Sequence, residues 1–236
     1  MLLVEYFPDF AYGFWLTASV SLLAFLLACV LGVLGALAAL SRSRTLRAIS
    51  RTYVEVVRNI PLLVVVYVFF FGLPSIGLTL PGYVAGLLAL AVNTGAYMVT
   101  IIRTGIVSVS KGQREAARTL GLSRSATFFD VVAPQAARAV YPPMVNEFLQ
   151  LILHSSILSV IAVNELTGVA LILNGRTFQT MEAFGTALVL YLILTNAIAF
   201  AADRLGKAVF KAPLNRPRRT VREGLGRLVL PMGGRS

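Results

Sequence analysis

The chain has 236 residues, of which 57% are hydrophobic and 13% charged, with a mean hydropathy of +0.80 and a formal net charge of +11. A water-soluble domain carries about 25% charged residues, and a single core of this size cannot hide so much apolar surface. A soluble globular protein and a disordered chain are therefore excluded, and the lone cysteine excludes a disulfide scaffold.

Residues 10–40 contain no charge, and about 20 apolar residues suffice to cross the hydrocarbon, so a first span is predicted over 12–40. Glu5 and Asp9 precede it without any Lys or Arg, the wrong flank for a cleavable signal peptide, so this span is expected to stay in the mature protein. Tyr12, Phe14 and Trp15 read as an interfacial aromatic belt.

Residues 59–102 form a second uncharged run, too long for one helix, with Pro74, Gly77, Pro81 and Gly82 marking a turn inside it. Two spans are predicted, over 52–73 and 82–103. Arg58 stands early in the first of these, three residues after Glu55, where both an intrahelical ion pair and snorkelling to the interface are available. Pro61 permits a kink there. In the other span Asn93 and Tyr97 are one turn apart and either contact a ligand or join helices, while Arg103 reads as an interface anchor.

The polar segment 104–138 separates these spans from a fourth, predicted over 140–163 from Tyr141-Pro142-Pro143 onward. Within the loop, residues 111–121 read as a short helix ended by Gly121, which tolerates a left-handed cap. Ala116, Ala117 and Leu120 form its small apolar patch, flanked by Glu115 and Arg118. Such a helix either lies on the membrane surface or docks in a groove of a partner protein. Ser123 is suited to cap a following helix, and Pro134 is expected to break it.

The fourth span carries Glu147, Gln150 and His154, which share one face at helical spacing. Polar groups in hydrocarbon cost about 2.5–3.5 kcal/mol each when ionisable, so this stripe faces either a packed neighbour helix or a solute pathway. Residues 166–173 are too short to cross, and the fifth span is predicted over 183–205. Residues 211–236 mix Pro, Gly and Arg and are expected to be a flexible basic tail against anionic lipid.

The reading is an all-α integral membrane protein with about five transmembrane helices, comprising a membrane domain over 1–210 and the tail. Arg and Lys follow spans one, three and five, whereas the opposite loops hold only Arg176. Basic loops remain in the cytoplasm, so the N-terminus is expected outside and the C-terminus inside. The positive charge is then a topology signal and calls for no nucleic acid. With one His and one Cys, no metal cluster or catalytic constellation can be assembled.

Glu115-Ala116-Ala117, three residues, Gly121, and then Val131-Val132-Ala133-Pro134 resemble the EAA loop of ABC importer permeases. Val131 and Ala133 depart mildly from that pattern's Ile and Leu. The stretch from Tyr53 to Leu63, Gly95-Ala96-Tyr97, Arg103, Val109-Ser110-Lys111-Gly112-Gln113, Ser155-Ser156-Ile157 and Glu165-Leu166 narrow the resemblance to permeases for polar amino acids. It runs colinearly over about residues 13–205.

The resemblance implies a type I importer fold in the bacterial cytoplasmic membrane. A second permease subunit, a copy or a paralogue, would share the pathway. Cytoplasmic ATPase subunits would bind ATP and Mg, and an extracytoplasmic binding protein would deliver the amino acid. Glu115, Ala116, Ala117 and Gly121 would carry coupling to the ATPase. No G-x-x-x-x-G-K-[ST] loop is present in this sequence, so no ATP hydrolysis and no cofactor are expected in this chain.

Pathway candidates are Arg58, Asn93, Tyr97, Thr100, Glu147, Gln150, His154, Ser155 and Ser156. The family's Glu after Gly-Ala-Tyr is replaced by Thr100, and its Lys-Asp before Thr-Ser-Leu by Leu153-His154. Losing that acid favours a neutral or acidic amino acid over a cationic one. The nearest rival is a permease of the same type for an opine or another amino acid derivative. A nucleotide-independent channel or carrier is the rival of a different class, for which an internal inverted repeat would be expected.

Overall fold

Hydrocarbon offers no partner to a peptide group, so a chain this apolar must satisfy its backbone within helices. The computed structural model describes residues 5–210, and every regular element among them is helical. The predicted basic tail lies outside the described residues. In chain order the helices are α1 (Phe7–Leu40), α2 (Arg44–Arg58), α3 (Leu62–Tyr67), α4 (Gly82–Ser108), α5 (Lys111–Thr119), α6 (Arg124–Ala126), α7 (Ala133–His154), α8 (Leu166–Thr177) and α9 (Thr180–Val209).

Four described helices are long and apolar enough to cross a membrane: α1, α4, the run Arg124–Ile161 and α9. A fifth crossing exists only if α2 and the stretch Leu62–Ile76 are taken together, and these meet at 105°. The predicted span 52–73 therefore runs across a sharp bend instead of along one helix. Pro61 supplies the cause. It lacks an N–H and pushes the residue before it out of the helical region, so α2 ends at Arg58 and Pro61 becomes the N-cap of α3.

α2 is a separate helix whose first half and middle are tied to its neighbours by side-chain bonds. Ser50 donates to the Gly35 carbonyl of α1 at 2.8 Å, and Tyr53 donates to the Val92 carbonyl of α4 at 2.6 Å. Ser43 caps its start by accepting from the Leu46 N–H.

Pro134 does not break the helix it was expected to break. Ser123 does cap α6, accepting from Ala126 N–H at 3.1 Å. The chain then passes through a π-turn, Thr127–Val132, directly into α7. Such a wide turn is a common way for a helix to take up a local fault without ending. Pro142 and Pro143 lie within α7, and a 3-10 turn, Ser155–Ile161, extends it.

The core sits where α1, α3, α4 and α7 meet, with Val20, Val66, Leu90, Leu151 and Leu158 packed together. α1 and α4 approach closely because small residues line the contact. A Cβ added at Gly32 would overlap the Met98 side chain. A second cluster, with Phe10, Leu166, Leu173 and Ala187, joins α8 to α1 and α9. Leu22, Leu26, Val30 and Leu34 of α1 and Leu188, Leu192 and Ile193 of α9 point outward, as a lipid-facing surface requires.

Candidate functional site

The bend at Asn59-Ile60-Pro61 delivers Arg58 against α4. Its guanidinium lies 4.8 Å from the centroid of the Tyr97 ring, and Nη1 donates to Thr100 Oγ1 at 3.4 Å. The intrahelical pair that the spacing offered is not formed: Glu55 is taken by Arg51 at 2.7 Å, on the exposed side of α2. Arg58 is also within electrostatic reach of Glu147 on α7, without a direct ion pair among the described residues. Arg58 thus meets a ring and a hydroxyl of α4, with the Glu147 carboxyl group within its electrostatic reach.

Asn93 lies on the same face of α4 as Tyr97 and Thr100 and is buried, at 6% exposure. Thr100 also borders a cavity of about 600 Å³ between α1, α2 and α4, lined by Arg47, Ser50, Arg51, Glu55 and Arg103 among others. Arg103, read as an anchor, is exposed there.

The stripe on α7 divides. Glu147 belongs with Arg58; Gln150 is exposed, and His154 is half-buried at the last turn, both without a polar partner among the described residues. Ser155 and Ser156 begin the 3-10 turn, and their hydroxyls turn back onto the Ile152 and Leu153 carbonyls at 2.7 and 2.8 Å. Ser156 borders a second groove with Thr167, Tyr191 and Thr195, and Ser155 lies beside the Tyr191 hydroxyl. The structure therefore groups Arg58, Tyr97, Thr100 and Glu147, and sets the two serines apart toward α8 and α9.

Glu165 was read only as part of a motif, yet it is fully buried and highly connected. It caps α8 by accepting from Gly168 N–H at 2.8 Å and Thr167 N–H at 3.0 Å, and it also accepts from the Tyr191 hydroxyl at 2.5 Å. Thr17 accepts from Leu166 N–H at 3.1 Å, so α8 is pinned to α9 and α1 at one point. The sequence signal was an acid just before the apolar run 166–173, the position of an N-cap.

The loop helix stands as the spacing indicated. Ser110 caps α5, accepting from Gln113 N–H at 3.3 Å. Gly121 adopts φ +82°, with Leu122 N–H bonded to Ala117 O and Gly121 N–H to Arg118 O, the double bond pattern of a glycine helix stop. Glu115 and Ala116 are exposed, whereas Ala117 is 4% exposed and packs inward. Leu120 projects outward at 82% exposure.

Residues 32–209 match the family described as binding-protein-dependent transport system inner membrane component. The chain is 38% identical to a probable glutamine ABC transporter permease protein, GlnM, of Bacillus subtilis, over 89% of this chain and 98% of that one. It is likewise 38% identical to the L-cystine transport system permease protein TcyB of the same organism, over 69% of each. A solved amino acid ABC transporter with histidines superposes with a TM-score of 0.82 at 32% identity, covering 87% of this chain and 96% of that one. The MetNI methionine transporter shares the fold, at a TM-score of 0.75 and 21% identity over 87% of this chain and 98% of that one.

Proposed function

The chain belongs to the family of binding-protein-dependent transport system inner membrane components, and on that footing we propose that its solute is a polar amino acid. It is a multi-pass membrane permease of the ABC importer type. The observation that carries the substrate reading is the Arg58, Tyr97, Thr100 and Glu147 group. A guanidinium with a carboxyl group of another helix in its electrostatic reach offers partners to the carboxylate and the ammonium of an amino acid. The names of the glutamine and cystine relatives support the same class. Thr100 and His154, in place of two acids, favour a neutral or acidic side chain over a cationic one.

In this reading the N-terminus is extracytoplasmic, and α5 faces the cytoplasm of a bacterial cell. Glu115, Ala116, Ala117 and Gly121 present α5 to an ATPase subunit that binds ATP and Mg. A second permease subunit completes the pathway, and an extracytoplasmic binding protein delivers the solute. The test is to purify the complex in mild detergent and follow ATP hydrolysis with the binding protein and individual amino acids. Stimulation by neutral or acidic amino acids supports the proposal; stimulation by arginine or lysine alone contradicts its substrate class.

A further inference from the structure

We propose that Arg114 is the positioning residue that links the coupling helix α5 to α4, the helix bearing Tyr97 and Thr100. The inference rests on the reading of α5 as the ATPase-docking element. The last carbonyls of a helix have no intrahelical partner. At the end of α4 the Gly105 carbonyl accepts from the Ser108 hydroxyl at 2.8 Å, and the Ile106 carbonyl accepts from Arg114 Nη2. A cation at a helix C-terminus also opposes the negative end of the helix dipole. Arg114 therefore closes α4 with a charge-assisted bond that originates on α5.

Arg114 differs from the other basic residues of that helix. Lys111 pairs with Glu115 at the surface, 3.4 Å apart, and Arg118 is exposed. Arg114 alone turns inward, and its Nε is buried without a partner among the described residues. Leaving a buried donor unpaired costs free energy, so the placement is not explained by solvation of a surface charge. Beside this bond, an apolar cluster of Val109, Val132 and Ala136, with Ile106 and Phe128 against it, packs the ends of the loop onto the bundle. Apolar contacts are non-directional and permit sliding; the Arg114 bond fixes direction. A displacement of α5 is then passed to α4 as a pull on its end.

The test uses the assembled complex in proteoliposomes with ATP inside and loaded binding protein outside, read as solute imported per ATP hydrolysed. Arg114→Met keeps length but removes the donor; Arg114→Lys restores one. The expected result is that Arg114→Met still co-purifies with the ATPase but imports about tenfold less solute per ATP, as loss of one charge-assisted bond implies, while Arg114→Lys recovers most of it. Unchanged import per ATP in Arg114→Met, or a Lys variant as defective as Met, overturns the proposal. Failure of Arg114→Met to assemble when Arg114→Lys assembles also overturns it, since the bond is then a folding cap alone. Glu115→Arg is the separate control for docking: full coupling in that variant refutes the role of α5 itself.

Discussion

Arg58 stacks over the ring of Tyr97 at 4.8 Å, although 38 intervening residues and a 105° bend separate them along the chain. The contact exists because Pro61 ends α2 and turns the chain, leaving the last side chain of α2 aimed at the middle of α4. A guanidinium stacks a flat face on the ring while its edge presents a planar fork of donors to a carboxylate, whereas a lysine ammonium is a point charge without that planar geometry.

From this geometry Arg58→Lys is expected to reduce uptake about threefold to tenfold and Arg58→Ala more, the range of a partly desolvated cation–π contact with one hydrogen bond. Initial rates of labelled amino acid uptake, normalised to assembled complex, check this. Equal rates in wild type and Arg58→Ala would remove Arg58 from the pathway.

Close approach of α1 and α4 depends on Gly32, where a Cβ would meet Met98. Gly32→Val is expected to destabilise by about 1–3 kcal/mol through overpacking. Gly175→Ala, where a Cβ meets nothing within 4 Å, is expected to leave stability unchanged or raise it by about 0.5–1 kcal/mol. Thermal unfolding of the two variants in detergent separates a steric cause from a general intolerance of substitution.

Tyr191→Phe removes one of three donors to the buried Glu165 carboxylate. A hydrogen bond to a charged group contributes about 1.5–3 kcal/mol, so the unfolding midpoint should fall. Thr195→Val is the contrasting substitution, because its hydroxyl only bonds back within α9, to Tyr191 O at 2.8 Å. Similar losses in both variants would show that Glu165 is not the centre of this junction.

Ala162 holds φ +58° at the end of the 3-10 turn after α7, a left-handed conformation. Non-glycine residues pay about 1–2 kcal/mol there, while glycine adds flexibility to the unfolded chain. Ala162→Gly is therefore expected to stabilise the fold by up to about 1 kcal/mol, read from the same unfolding assay. A clear loss of stability would mean that the Ala methyl makes a contact worth more than the strain.

The helical class was legible because charge-free runs in this sequence are long enough to span, and Ser123 and Gly121 marked helix ends by local chemistry. The bend before Pro61 was visible only as a permitted kink, since a proline fixes its own φ but not the angle at which packing sets the next segment. Pro134 was misread for the related reason that a π-turn upstream absorbs its missing donor. Arg58, Tyr97, Thr100 and Glu147 were each named from sequence. Their grouping was not, because it depends on how α2, α4 and α7 cross. Glu165 was undervalued because its importance comes from Tyr191, 26 residues later, and because the next residue, Leu166, is held by Thr17 near the other end of the chain.

Uptake into proteoliposomes containing the purified complex, with loaded binding protein outside and ATP either present or absent inside, tests the account most directly. The account predicts accumulation of a neutral or acidic amino acid that requires internal ATP and ceases when the ATPase subunit is omitted. Solute movement by this chain alone, without nucleotide, would contradict it and identify a channel or ion-coupled carrier instead.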